Sequence, residues 1–133
     1  MKYYLDTNII IYAMKNEYPN IKNHFLKVPS SSIVIPNIVL AEIEYGARKS
    51  KNYKKTIDIY NQFTNAFEMA EFSRKAVKEY GNIRKDLEKQ GKIIGPNDLI
   101  IAAIVKSEDG ILVTHNTNEF SRVKGLNIED WTI

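Results

Sequence analysis

Apolar residues along this chain fall into short blocks with two different rhythms. Lys2 to Leu5, Ser32-Ile33-Val34-Ile35 and Ile111-Leu112-Val113-Thr114 are brief aromatic or β-branched runs bounded by turn formers, which predicts buried strands. Phe67 to Phe72 reads as a further strand with Glu68 and Glu71 facing outward, and Gly125-Leu126-Asn127-Ile128 leads a last short one before Trp131. Between these blocks the spacing becomes helical. Asn8 is the expected cap of a helix through Tyr12 and Met14, Pro19 breaks it, and Asn20 to Val28 forms a second. A helix from Asn37 to about Ser50 follows, with Glu42 on the face of Ile38 and Tyr45. Another, Tyr53 to Asn65, turns Ile57, Ile59, Tyr60 and Phe63 inward. Ser73 caps a long helix carrying Ala76, Val77, Tyr80, Ile83 and Leu87 and stopped by Gly91 and Gly95; Asn97 to Ser107 is apolar on nearly every side. Strands alternating with helices predict an α/β fold with a central parallel β-sheet of about four to five strands flanked by helices.

The 133 residues fit one domain, and 44% hydrophobic with 26% charged content is ordinary for a globular chain. With no cysteine, disulfides, thiolate-bound zinc and iron–sulfur clusters are excluded. Asp6 and Asn8 interrupt the first apolar stretch, so no export signal is expected, and Leu99 to Val105 is too short to span a bilayer. A cytoplasmic protein without membrane contact is the expectation. A net charge of +3 fits a polyanionic partner.

Against that background three acids stand out. Asp6 ends the first strand, Glu42 lies inside Ile38-Val39-Leu40-Ala41-Glu42-Ile43, and Asp98 opens the apolar helix after Pro96-Asn97. Each has a plain explanation: an Asx turn, an exposed helix position, and a first-turn acid favoured by the helix dipole. Burying unpaired carboxylates is costly, however, and converging ones need a cation, for which a hard divalent metal is the natural choice. Thr7, Asn8 and Thr114 are candidates to orient Asp6 by hydrogen bonds.

Four blocks then carry a family likeness: Leu5-Asp6-Thr7-Asn8, Val39 to Gly46, Gly95 to Ala103, and Leu112 to Phe120 continuing to Gly125-Leu126 and Glu129-Asp130-Trp131. In this order, from end to end, the chain resembles a PIN-domain ribonuclease, specifically the toxin of bacterial VapBC toxin–antitoxin pairs. The resemblance implies one PIN domain over residues 1–133 and an endoribonuclease dependent on Mg²⁺ or Mn²⁺. Asp6 and Asp98 would hold the metal and Glu42 complete the cluster. Many relatives have an Asp two residues after the Thr of the last block, where this chain has Asn116. The fourth position then falls to Glu119, or to Asn116 acting through water.

Arg48-Lys49-Ser50-Lys51-Asn52-Tyr53-Lys54-Lys55 is the densest basic run. It marks Lys51, Lys54 and Lys55 as candidate RNA contacts, against the plainer role of a solvated helix end. Tyr12, Tyr18, Phe25, Tyr53 and Tyr60 belong to helices which, by the same resemblance, form a groove for a cognate antitoxin and a homodimer surface.

Other readings are weaker. A metal-independent nuclease would need His24 and His115 as base and acid, and neither has a matching context. Phosphotransfer on Asp6 would need further acids nearby, where the chain has Asn8. A non-catalytic RNA- or protein-binding domain of the same fold, and a housekeeping RNA-processing nuclease, are the remaining alternatives.

Overall fold

Each of the first four strands leads into a helix, β1 and β2 almost without a linker, and that alternation sets the architecture. The computed structural model describes residues 1–133. In chain order the elements are β1 (Tyr3–Leu5), α1 (Thr7–Met14), α2 (Pro19–Lys27), β2 (Ile33–Pro36), α3 (Asn37–Lys49), α4 (Tyr53–Thr64) and β3 (Glu68–Ala70). Then come α5 (Arg74–Gln90), α6 (Pro96–Ser107), β4 (Ile111–Val113), α7 (Thr117–Phe120) and β5 (Asn127–Glu129), with a turn of 3-10 helix at Ser30–Ser32. All strand pairs are parallel, as the alternation requires, and the five strands lie in the order β3-β2-β1-β4-β5.

That order has one consequence for the site. The chain leaves β1 towards β2 and β3 on one side, then returns to build β4 and β5 on the other. The reversal puts a crevice beyond the carboxyl ends of β1 and β4, the place where open α/β sheets bind ligands. Leu5 pairs with Val113, so the next residues, Asp6 and Thr114, face one another across it.

The helices are cut by local chemistry. Gly91, at φ 68, closes α5 in the left-handed conformation that glycine tolerates, and the Lys92 amide reaches back to the Leu87 carbonyl. Pro96 occupies the first turn of α6, where its missing N–H is no loss. Leu99 and Ile101 through Val105 are all buried, which makes α6 the central helix of the core, packed on α5. Gly110 turns the chain into β4 against the ring of Tyr4, in space that a β-carbon would have to share with that ring.

Some sequence expectations need correction. The α1 cap is Asp6, whose Oδ1 accepts from the Thr7 amide, and Asn8 is an exposed residue inside the helix. Ile59 and Val77 point to solvent, at 49% and 52% exposure, so α4 and α5 bury narrower stripes than expected. The third strand is only Glu68–Ala70, and α7 was not foreseen.

Candidate active site

Asp6 is the fixed point of the crevice. It is buried, and its two carboxylate oxygens are divided between two strand ends. Oδ1 takes the Thr7 amide at 2.9 Å and Oδ2 takes the Thr114 hydroxyl at 2.8 Å. Thr114 is itself fully buried, and its hydroxyl also accepts the Asn116 amide at 2.9 Å. The strand end thus holds Asp6 through Thr114 and, at the same atom, sets the start of the α7 turn.

Glu42 reaches the crevice from α3. Thr7, the first residue of α1, donates its hydroxyl to Glu42 Oε1 at 2.7 Å, so adjacent residues Asp6 and Thr7 bind the β1 end to α3. Asp98 comes from the first turn of α6, and Glu119 from α7. The Asn116 side-chain amide lies between them, 2.9 Å from Glu119 Oε2 and 3.4 Å from Asp98 Oδ2; the second of these is a long contact.

The charges of these groups interact. Burial, and then the charges of Asp6, Glu119 and Glu42, push the Asp98 carboxyl up to about 7. Glu119 is moved down, chiefly by the Asn116 amide and then by Asp98, so the pair retains its proton on Asp98. Burial raises Asp6 as well; Thr114 and Thr7 oppose that shift, and Glu42 adds to it. Four carboxyl groups from four different elements therefore share one electrostatic neighbourhood. A hard divalent cation matches an all-oxygen donor set of this kind. No three of the side chains stand close enough to cage a metal by themselves.

The basic run lies elsewhere. Lys51 lies beyond the end of α3 at Lys49, and Lys54, in the first turn of α4, is 3.8 Å from Asp58. The two histidines have separate partners. His24 stacks on Trp131, with ring centroids 5.2 Å apart, while His115 Nδ1 lies 3.0 Å from Asp130 beside Tyr12 and Tyr18. Sequence reasoning did not anticipate that Arg122 and Lys124, just beyond α7, line one cleft with Lys92, with Arg122 near enough to Glu119 to help lower it. The three are remote in sequence, and only the path of α7 joins them.

Comparison with known proteins gives the fold a family. The PIN domain family model matches residues 3–126. Ribonuclease VapC2 of Rickettsia felis is 41% identical over 98% of both chains. A tRNA(fMet)-specific endonuclease VapC of Shigella flexneri is 35% identical over 99% of both. Among solved structures, VapBC-1 from nontypeable Haemophilus influenzae superposes with a TM-score of 0.92 at 38% identity and covers 100% of both chains. The chain belongs to the PIN domain family. Within that family it is an endoribonuclease of the VapC type.

Proposed function

We propose that the acids of the crevice are the catalytic centre: Asp6, Asp98 and Glu42 bind Mg²⁺ or Mn²⁺, and RNA phosphodiester bonds are hydrolysed there. The observation that carries this reading is the meeting of Asp6, Glu42, Asp98 and Glu119 beyond the ends of β1 and β4, where burial and then the neighbouring acids push the Asp98 carboxyl up to about 7. A bound divalent cation would relieve that repulsion, acidify the attacking water and neutralise charge that develops on the phosphate.

The protein groups have separate tasks. Thr114 and the Thr7 amide keep Asp6 in one orientation, and the Thr7 hydroxyl aims Glu42. Asn116 holds Glu119 beside Asp98, which makes Glu119 the fourth acid and Asn116 its positioning residue. The Asp that many relatives carry is thus replaced by an amide that orients a neighbouring carboxylate. Lys51, in the connection after α3, and Lys54 and Lys55, in the first turn of α4, are exposed and are proposed to meet RNA backbone further from the cut.

The same reading extends to partners. Solved relatives are VapBC complexes, which supports a cognate antitoxin for this chain, making it the toxin of a pair, and a homodimer is proposed with it. The Shigella flexneri relative makes tRNA(fMet) the first substrate to test. Partner-free protein incubated with labelled tRNA and Mg²⁺ or Mn²⁺ should give discrete fragments that disappear with chelator. Cleavage that persists in chelator would refute the metal-dependent reading.

A further inference from the structure

Beside the acids lies a cleft of opposite character. It measures about 730 Å³ and is walled by the end of α5 with Gly91, Lys92 and Ile93, and by Asn118, Ser121, Arg122 and Lys124 around α7. Ile93 is the one apolar residue in its lining, and no acid faces it. Its three cations equal the whole positive excess of the chain, which has 19 basic and 16 acidic residues.

Two details fix the cleft relative to the reacting centre. First, α7 supplies both sites: Glu119 turns to Asn116 and Asp98, while its neighbours Asn118, Ser121 and Arg122 line the cleft. The turn that closes α7 brings the Arg122 amide to the Glu119 carbonyl at 3.1 Å, and the Arg122 charge is near enough to help hold Glu119 down. Second, Arg122 donates to the Ile93 carbonyl at 3.2 Å, which ties α7 to the segment running from the α5 end into the Asp98 turn. Arg122 is thereby pre-positioned, Lys92 has no ion-pair partner, and Lys124 has only an exposed contact with Asp86 at 3.6 Å.

We propose that this cleft is the RNA backbone site of the enzyme, where Lys92, Arg122 and Lys124 bind the phosphates next to the one that reacts. Like-charged carboxylates repel a polyanion, so a nuclease built on them needs cations close by to hold the strand. A wide, polar cleft with a fixed guanidinium and two mobile ammonium groups suits a phosphodiester chain better than an apolar ligand. The proposal rests on the nuclease reading above, but its test does not require cleavage.

The experiment measures binding of a mixed-sequence single-stranded RNA to the full chain carrying Asp6→Asn, across a salt series with chelator present. Lys92→Gln/Arg122→Gln/Lys124→Gln should flatten the salt dependence by about two logarithmic units per decade, since each phosphate contact contributes about 0.7. Because Arg122 also supports the Ile93 carbonyl, Lys92→Gln/Lys124→Gln is the companion variant, expected to flatten the slope by about 1.4. An unchanged slope in the double variant, or no RNA binding by the Asp6→Asn chain, overturns the proposal. So does competition by polyglutamate as effective as RNA, which would assign the cleft to an acidic protein segment. A reduced slope alongside a wild-type chain that cuts no RNA would uphold the cleft and refute the nuclease reading instead.

Discussion

Asp98→Asn isolates the electrostatic cost of the acid cluster in the metal-free protein. The Asp98 carboxyl titrates at about 7 in the folded chain, against 3.8 as its ordinary value. The folded state therefore binds more protons than the unfolded one between those values, and stability falls as pH rises through that window. At about 1.4 kcal/mol per unit, the shift sets a ceiling of about 4 kcal/mol. Asp98 is half-buried rather than enclosed, and solvent screening reduces the expected effect to about 1–2 kcal/mol. Glu119, moved the other way, loses its contribution as pH falls, so the wild-type profile alone mixes the two. The difference between wild type and Asp98→Asn reports the Asp98–Glu119 pair as a unit, because Asp98 also helps to lower Glu119. In chelator, the variant should match wild type near pH 4 and exceed it by about 1–2 kcal/mol at pH 8, or roughly 5 °C in Tm. Thermal unfolding across that range is the assay, and millimolar Mg²⁺ should reverse the order at pH 8 by stabilising wild type alone. A pH-independent difference, or a wild type more stable than the variant at pH 8 without metal, would refute the reasoning.

Other perturbations address other links. Thr114→Val leaves the buried Asp6 Oδ2 without its hydroxyl donor, and should cost about 1–3 kcal/mol in urea unfolding and lower the cleavage rate about tenfold or more. Asn116→Asp adds a carboxylate between Asp98 and Glu119; it should destabilise the metal-free chain and tighten Mn²⁺ binding in calorimetry, whereas unchanged affinity would place that position outside the metal site. Gly110→Ala pushes a methyl group into the Tyr4 ring and should cost about 1–3 kcal/mol of stability without altering the acids.

The parts of this molecule that were legible in sequence are those governed by local chemistry. The β-branched runs, the Ser73 cap, the Gly91 stop and the apolar length of α6 each specify their element within a few residues. The acids were legible because Asp6, Glu42 and Asp98 interrupt apolar sequence. Their convergence was expected only through the family resemblance, while the contribution of Glu119 depends on β4 lying beside β1 and on α7, which no local pattern announced. The Asn8 cap failed for a local reason: β1 passes into α1 with no linker, so the residue that ends the strand must also cap the helix. Ile59 and Val77 fit helical spacing and still face solvent, because the core is already filled by Ile57, Ala76, Ile83 and Leu87 on those helices. The basic cleft left no sequence signal, as Lys92 and Arg122 meet only through the Ile93 carbonyl.

The measurement that bears most directly on the central claim is RNA cleavage by Asp6→Asn beside wild type, with Mn²⁺ and without partner. Asparagine can still accept the Thr7 amide and cap α1, so the variant should fold while lacking the charge. The account predicts a folded variant whose cleavage falls by at least about a hundredfold and whose Mn²⁺ affinity drops with it. A folded variant that cuts RNA at the wild-type rate would contradict it.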